Sequence, residues 1–503
     1  MPILLVFLLT AACMPVEWPG PPAGVGPRGS AALTAAAVAA ALGAAFAART
    51  RVVRALRRAP DRRAGVAAAY GRVRRVLVFV NLTAAGLSVF AFGWGWAVRH
   101  SLRVGWRGES VLAPFAELAV PLPYFLTLFG CWLVHYDAER VLAAGGRGFR
   151  SRGAYVSHNL RQLALLAGLP VGLFVTQQTL VRFAPEETAE VWYRVASVAV
   201  VPVILLLVPL VIRPLLGLRP LPPGPTRDRL AALAARLRFR HADLLVWPTH
   251  GAVVNAMIVG LLPRVRYVVF TDRLLDELPA DELDAVFGHE VGHARHGHLW
   301  YYTLFLGLSL SVLAALALYA EAALKARGVA FPDEYASWVI LVPILPVAAY
   351  VFVAFGLLSR RCERQADVAG CRAVSCGDPA CGGHDAGTAY PAGGTGLCPT
   401  GIRTAARALE RVYHLNGHDG PDDNGPWTVG SVARGVAAWV RAWQHAPMPR
   451  RVAFLLSLLD DRGRERRFQR RLLVLRWALV LGLGAALVAL GEAVGWRELL
   501  KVL

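Results

Sequence analysis

Charged residues are scarce in this chain: they make up 17% of its 503 residues, whereas hydrophobic residues make up 56%. This composition excludes an ordinary set of soluble domains and favours an integral membrane protein. Acidic residues are the scarcer sign, with 34 Asp and Glu against 54 Lys and Arg. The basic residues are spread over many segments and are not interleaved with aromatic residues on one domain, so we expect no nucleic-acid partner.

Long runs almost without charge are frequent. Eight of them approach the roughly 20 residues that a helix needs to cross a bilayer. These predicted spans lie at about 31–48, 76–98, 111–135, 163–181, 195–213, 300–320, 337–358 and 473–494. A ninth run, residues 1–16, has no Lys or Arg before it, so a short first membrane helix is a better interpretation than a cleaved signal peptide.

The basic segments set the expected orientation. Residues 49–75 carry ten Arg against one Asp, and residues 136–162 carry five Arg against two acidic residues. The positive-inside rule places both segments in the cytoplasm, although three Arg between the second and third spans oppose this scheme. The high alanine and arginine content is typical of a GC-rich bacterial genome. We therefore expect a bacterial inner-membrane protein with residues 214–299 and 359–472 in the cytoplasm.

The most informative motif is His289-Glu290-Val291-Gly292-His293. A first turn with a proline and several acidic residues precedes the motif, and an apolar stripe lies between that turn and the motif, so the motif is predicted to be helical. On a helix the two histidines share one face and can bind one metal ion, while Glu290 reaches the metal-bound water as general base. The motif predicts a zinc hydrolase.

Glu363 is the predicted third zinc ligand. The chain leaves the catalytic side through the span at 300–320 and returns through the span at 337–358, so the next segment re-emerges near the motif. Two His and one Glu are a common ligand set for peptide hydrolysis. Asp367, one turn further on, would accept the second ring N–H of a ligand histidine. The alternative is a solvent-exposed helix face on which both carboxylates pair with neighbouring arginines.

Two further histidines follow the motif. On a continuous helix His296 shares the face of His289 but lies about 10.5 Å further along the axis. His298 would point to the opposite face. We therefore expect both histidines to support the ligand residues or to lie at the membrane interface, and neither to bind the metal ion.

Short apolar runs before the motif predict a small sheet. A zinc peptidase needs an edge strand beside the metal to hold an extended substrate by main-chain hydrogen bonds. Asn255 and Ala256 lie on the candidate edge strand; the alternative is a structural strand whose Asn only caps a turn. The predicted strands are 243–247, 252–259 and 265–270.

Five of the seven cysteines lie between residues 362 and 398. Cys376, Cys381, His384 and Cys398 could supply a tetrahedral site for a second, structural zinc ion. Their spacing is not that of a standard zinc finger, so free thiols and disulfides remain alternatives. A cytoplasmic location argues against stable disulfides.

Residues 226–460 resemble the membrane-bound M48 zinc metallopeptidases (Ste24/HtpX-like). The resemblance rests on five elements in the same order: Asn255-Ala256 on a strand, His289-Glu290-x-x-His293, a two-span hairpin, Glu363-x-x-Ala366-Asp367, and the segment His445-Ala446-Pro447-Met448-Pro449-Arg450-Arg451.

The resemblance implies that His289, His293 and Glu363 hold Zn²⁺ and that Glu290 is the general base. It also implies that His445 stabilises the oxyanion at the scissile carbonyl. Arg451 would support His445, and Asp367 would orient a ligand histidine. The family has His-Pro directly, whereas here an alanine separates the two residues, so a surface-loop histidine remains the alternative for His445.

The predicted fold is mainly α: a polytopic α-helical membrane protein with a zincin-like α+β catalytic domain, made of a small sheet and the HExxH helix. We expect an N-terminal multi-span region, a first catalytic part, a two-span hairpin, a second catalytic part with a cysteine-rich insert (371–401), and a C-terminal membrane helix. The corresponding residues are 1–218, 219–299, 300–358, 359–472 and 473–503.

We expect a zinc endopeptidase that lies in membrane lipid and cleaves membrane or membrane-proximal proteins, with a role in protein quality control. One alternative is a catalytically silent zinc-binding membrane scaffold. Another is a site-2-type intramembrane metalloprotease, which would bury the motif within a span and use a later Asp as third ligand. The sequence leaves CAAX-type processing and the oligomeric state open.

Overall fold

Helices make up most of the chain, and a four-stranded sheet accompanies them. The chain divides into two compact units, residues 1–193 and 194–503. The prediction of a mainly α membrane protein with a small sheet is confirmed. Apart from isolated positions in and beside these ranges, the computed structural model describes residues 18–102, 118–142, 148–168, 191–328, 349–384, 396–416 and 448–499.

The first unit consists of helices throughout its described part. The basic segment 49–75 is largely helical: two helices run into it, and a single turn at Pro60–Arg62 separates them. Arginine and alanine favour helix, and the proline interrupts it. The helices are α1 Pro27–Arg58, α2 Arg63–Gly86, α3 Trp94–Ser101, α4 Leu122–Leu142 and α5 Arg152–Leu163.

The apolar run at 76–98 was predicted to form one continuous span, but the structure divides it between two helices. α2 passes into a π-turn at Leu87–Ala91, and Gly93 then takes a φ of 69° before α3 begins. A Cβ atom on Gly93 would lie 2.4 Å from the backbone nitrogen of Pro21. The prediction of a continuous span is wrong because this left-handed glycine ends the helix.

Four helical segments in the described part of the chain are long and apolar enough to cross a membrane: 27–58, 65–91, 298–320 and 463–494. Each overlaps a predicted span. Large apolar side chains project from them without protein cover; Phe79 is 66% exposed and Leu481 is 65% exposed. Such surfaces are typical of lipid-facing helices, and the prediction of an integral membrane protein is confirmed.

Several predicted spans cannot be compared in full. Residues 1–16 and most of the runs at 163–181 and 337–358 lie outside the described residues. Within the run at 195–213, the helix α6 Val191–Leu216 is present, and its shorter segment Leu206–Leu216 is apolar.

The second unit contains the sheet, whose strand order is β1-β2-β4-β3. β2 and β4 are parallel, whereas β1 and β3 pair antiparallel with them, so β3 is an edge strand. β3 begins four residues later than the predicted strand at 252–259, because His250 and Gly251 form a turn with φ of 56° and 76°. The strands are β1 Arg219–Pro220, β2 Asp243–Trp247, β3 Ala256–Val259 and β4 Tyr267–Thr271.

The helices of the second unit follow and flank the sheet. An amphipathic helix precedes β2, and the helix that carries the His-Glu-x-x-His motif runs from Ala280 to Arg295. They are α7 Pro225–Arg236, α8 Asp272–Glu277, α9 Ala280–Arg295, α10 His298–Ala326, α11 Gly356–Ala373, α12 Pro399–Leu415, α13 Met448–Asp460 and α14 Gly463–Val494.

Two packing surfaces fix the position of α9. Phe287 packs in the apolar core between α9 and the sheet, together with Phe270 of β4. On the other side α9 meets α11 at glycines: a Cβ atom on Gly288 would lie 2.2 Å from the Cβ of Ala373, and one on Gly292 would lie 2.7 Å from that of Ala369. These glycines let the two helices approach closely enough for side chains of both to share one site.

Candidate active site

The His-Glu-x-x-His motif and Glu363 come together between α9 and α11. The Nε2 atoms of His289 and His293 lie 3.2 Å apart. The carboxylate oxygens of Glu363 lie 3.8 Å from the Nε2 of His289 and 3.6 Å from that of His293. Three potential ligand atoms from two helices therefore converge on one point.

These residues fit a zinc ion. Tetrahedral zinc with Zn–N bonds of 2.0–2.1 Å places its ligand atoms about 3.3 Å apart, close to the distances seen here. Charge points the same way, because the carboxylates of Glu290, Glu363 and Asp367 all interact with the guanidinium of Arg451 and add several negative charges to one buried region. Since Glu363 is only 4% exposed, a divalent cation would help to neutralise negative charge that is buried here.

Asp367 links the first ligand histidine to Arg451. Its Oδ1 lies 2.9 Å from the Nδ1 of His289, and its Oδ2 accepts a 2.9 Å hydrogen bond from the Nε of Arg451. Burial opposes ionisation of Asp367, but the charge of Arg451 outweighs it and holds the pKa of the carboxyl below its usual value. An ionised Asp367 keeps a proton on Nδ1 of His289, which leaves the Nε2 lone pair for a metal ion.

The same contact acts on the pKa of His289 itself. Burial lowers that pKa, but the hydrogen bond and the charge of Asp367 raise it above its usual value. His293 differs, because burial and the neighbouring His289 lower its pKa to about 3. His293 is therefore neutral at physiological pH, as a metal ligand must be.

The second ligand histidine is oriented by a chain of polar side chains. His293 and His298 face each other through their Nδ1 atoms at 3.0 Å, and the Nε2 of His298 lies 2.9 Å from the Oε1 of Gln365. The amide nitrogen of Gln365 donates to Gln469. Because Oε1 can only accept, His298 carries its proton on Nε2 and accepts from the Nδ1–H of His293. The Nε2 lone pair of His293 is then available to a metal ion.

The expectation that His298 points away from the motif is wrong. It assumed one continuous helix, but α9 ends at Arg295 and Gly297 takes a φ of 62°. The chain turns there and α10 begins at His298, which returns beside His293. The sequence signal for this turn was the Gly297 that precedes the next apolar run.

Asn255 and Ala256 lie at the edge strand. The backbone N–H of Thr271 donates to the carbonyl of Asn255 at 3.0 Å, so the backbone groups of Asn255 face β4. In an antiparallel pair, the backbone N–H and C=O groups of successive residues point alternately toward and away from the partner strand. Those groups of Ala256 and Ile258 therefore point away from β4. Ala256 packs in the same core as Phe287 of α9, which ties this edge to the motif helix.

One residue that the sequence did not single out occupies the start of this edge. The side-chain amide of Asn416, just after α12, donates to the carbonyl of Val254 at 2.9 Å and accepts from its N–H at 3.1 Å. An asparagine side chain thus takes the place of a pairing strand at Val254. Among the described residues, the edge without a paired strand begins at Ala256.

His445 lies outside the described residues, so its predicted position is not compared. Arg451 is described: it is 5% exposed, and its Nη1 lies 3.3 Å from the carboxylate of Glu363. The structure thus places Arg451 against the carboxylates of α11. Elsewhere, Cys376, Cys381, His384 and Cys398 also come together, with their ligand atoms all within 4.8 Å of one another.

Comparison with known proteins agrees with this arrangement. Residues 226–381 match the model of peptidase family M48. This segment of the chain is similar to peptidase family M48. The resemblance noted in the sequence is confirmed for residues 226–381.

Two curated relatives show similarity over a short segment. The CAAX prenyl protease 1 homolog of Arabidopsis thaliana is 31% identical over 102 residues, which are 20% of this chain and 24% of the relative. That of Oryza sativa subsp. japonica is 34% identical over 103 residues, again 20% of this chain and 24% of the relative. The alignments therefore span about a quarter of the length of these relatives.

A solved structure shows the same fold. The crystal structure of S. mikatae Ste24p superposes with a TM-score of 0.52 and 14% sequence identity, over 85% of this chain and 97% of that chain. The M48 segment is thus part of a fold that extends over most of the membrane-spanning chain.

Proposed function

We propose that this protein is a membrane-embedded, zinc-dependent endopeptidase that hydrolyses peptide bonds of membrane or membrane-proximal proteins. The observation that carries the proposal is the convergence of His289, His293 and Glu363, with Glu290 next to the first ligand on the same helix. A His₂Glu set leaves the fourth position of a tetrahedral ion for water, as catalytic zinc sites require.

When bound, zinc would lower the pKa of the attacking water and polarise the peptide carbonyl. Glu290 accepts the proton of that water and delivers it to the leaving amine. Arg451 interacts electrostatically with Glu290 and so lies close enough to help position its carboxylate. Asp367 and His298 hold the two ligand imidazoles in the tautomers described above. His445, by the family resemblance, would stabilise the carbonyl oxygen, with Arg451 nearby.

The edge strand indicates how substrate would be held. An extended peptide would pair with the outward backbone groups of Ala256 and Ile258, since such groups accept a further strand. Asn416 already bonds Val254, so pairing would stop there. Recognition through backbone groups depends little on side chains, which suits an endopeptidase of protein quality control.

The location of the motif favours this proposal over a site-2-type intramembrane protease. α9 ends at Arg295, and the neighbouring candidate membrane helix begins only at His298. The motif therefore precedes the membrane segment. We also propose a bacterial inner membrane and a cytoplasmic catalytic side, for which the arginine-rich segment 49–75 is the argument.

The experiment compares wild-type chain with Glu290→Gln in detergent, with a chelator and zinc add-back. Substrates are an unfolded soluble protein, an unfolded membrane protein and a prenylated C-terminal peptide, since the curated relatives are named as CAAX prenyl proteases. We expect Glu290→Gln to lose about 10²–10⁴-fold in kcat while it binds zinc normally. The exposed Glu410→Gln on α12 is the matched control.

Each outcome separates the candidate functions. Cleavage that both Glu290→Gln and chelation abolish supports the endopeptidase, and the preferred substrate shows whether CAAX-type processing takes place. A wild-type chain that binds zinc but cuts none of the three substrates faster than Glu290→Gln supports the silent scaffold instead.

A further inference from the structure

We propose that Cys376, Cys381, His384 and Cys398 bind a second zinc ion, which is structural. The side chains offer three thiols and one imidazole, and their ligand atoms all lie within 4.8 Å of one another. The Nδ1 of His384 is 3.2 Å from the Sγ of Cys381 and 4.0 Å from that of Cys398. Tetrahedral zinc with Zn–S bonds of 2.3 Å and Zn–N bonds of 2.0 Å would place sulfur and nitrogen about 3.5 Å apart.

His384 is held in the tautomer that a metal ligand needs. Its Nε2 lies 3.1 Å from the carbonyl oxygen of Val374, a group that can only accept a hydrogen bond. Nε2 therefore carries the proton, and the lone pair lies on Nδ1, which faces the thiols. An outer hydrogen bond from the second ring nitrogen to a carbonyl is the usual support of a zinc-bound histidine.

Cys398 is held in place at the start of α12. It is fully buried and forms the N-cap of α12, where its Sγ accepts a 3.3 Å hydrogen bond from the backbone N–H of Gly401. Its own N–H donates to the Oγ of Ser375, which follows α11, so its backbone is fixed as well.

The four residues come from separate positions of the chain. Cys376 follows α11, Cys381 and His384 lie in the insert, and Cys398 begins α12. None of the six cysteines in the described part of the chain is in a disulfide. A disulfide would explain the proximity of only two of these cysteines. One tetrahedral zinc ion explains why all three thiols and the imidazole of His384 lie together.

All four positions around the ion would be filled by side chains, which is the mark of a structural site. The ion would fix the end of α11, the helix of Glu363, to the start of α12, the helix that ends beside Asn416. The M48 match ends at Cys381, so two of the four ligands lie beyond it. The proposal does not depend on peptidase activity.

The test counts metal in the full-length chain, purified in detergent and loaded with zinc. We expect about two zinc ions per wild-type chain and about one after Cys376→Ser combined with Cys381→Ser. His289→Ala combined with His293→Ala should also leave about one, since each pair of substitutions removes a different site. The matched control is Cys131→Ala, which removes a buried free cysteine of the first unit.

Two readouts identify the site without relying on the Cys variants to fold. Cobalt in the variant without the two motif histidines should show the sulfur-to-metal charge-transfer band of a tetrahedral thiolate site. In wild-type chain, zinc should slow alkylation of Cys376 and Cys381 at least about tenfold relative to chelated protein, because bound thiolates are poor nucleophiles. Equal alkylation rates, a cobalt spectrum without the thiolate band, or a disulfide among these cysteines would overturn the proposal. A silent peptidase with two zinc sites would leave it intact.

Discussion

Gly288→Ala tests whether the close contact of α9 and α11 builds the metal site. A Cβ atom at this position would lie 2.2 Å from the Cβ of Ala373, whereas carbon atoms in contact prefer about 3.5–4.0 Å. The helices must therefore separate by more than about 1 Å there. His289 is the next residue on α9 and its partner Glu363 is on α11, so the separation acts directly on the ligand distances.

The magnitude follows from two opposing effects. Overpacking of a close-packed contact costs typically about 1–3 kcal/mol, whereas alanine in place of glycine favours the helix by about 0.5–1 kcal/mol. We expect a net loss of about 1–2 kcal/mol of unfolding free energy. If the strain is relieved at the ligands, zinc affinity falls about tenfold or more, since a factor of ten corresponds to about 1.4 kcal/mol.

The assay is thermal unfolding of the detergent-purified chain together with zinc competition against a chromophoric chelator. Ala373→Gly in the same chain removes the obstructing methyl group and should restore much of the zinc affinity of Gly288→Ala. Gly482→Ala is the control, because a Cβ atom at that exposed helical glycine meets nothing within 4 Å. The reasoning is refuted if Gly288→Ala and Gly482→Ala have the same melting temperature and zinc affinity.

Three further predictions concern single residues. Arg451→Met should cost about 3–5 kcal/mol in chemical denaturation, because it leaves the buried Asp367 carboxylate without its cation. Asn416→Ala should raise amide hydrogen exchange in residues 253–259, measured by mass spectrometry, because the start of the edge strand loses two hydrogen bonds. Burial raises the pKa of Asp284 to about 6, so its carboxyl should stabilise the fold below about pH 4 and lose this effect as the pH rises through 6, by up to about 3 kcal/mol. Asp284→Asn should flatten that part of the stability profile.

Each of these predictions has a result that would contradict it. Arg450→Met, at the exposed neighbouring arginine, should leave stability almost unchanged; equal losses at both arginines would exclude the buried ion pair as the cause. Unchanged exchange in Asn416→Ala would mean that the strand start is held by other groups. Parallel pH profiles of wild type and Asp284→Asn would show that another group titrates.

The sequence was most informative where chemistry depends on short spacings. The helix that carries His289 and His293 was predictable, because the sequence shows an apolar stripe together with a start signal. The position of Glu363 beside the motif was predictable as well, since the predicted membrane spans decide which segments share a side.

The rest depended on contacts between distant residues or on single backbone angles. Gly93 and Gly297 each follow the end of a helix and have a positive φ. A hydropathy profile gives no information about such backbone angles. Asn416 lies 162 positions from Val254, and no local pattern connects them. Likewise, the spacing of Cys376, Cys381, His384 and Cys398 fits no standard finger, so only the fold shows that they meet.

The chain of side chains behind His293 has a mechanical consequence. Gln365 is on the catalytic helix α11, but its acceptor Gln469 is on α14, which continues as a candidate membrane helix. Transmembrane helices tilt to match the thickness of the surrounding bilayer. A tilt that withdraws Gln469 frees the Gln365 amide to rotate, and His298 then loses the acceptor that fixes its tautomer. We therefore expect the length of the lipid or detergent chain to alter the zinc affinity of the site through the contact between Gln365 and Gln469.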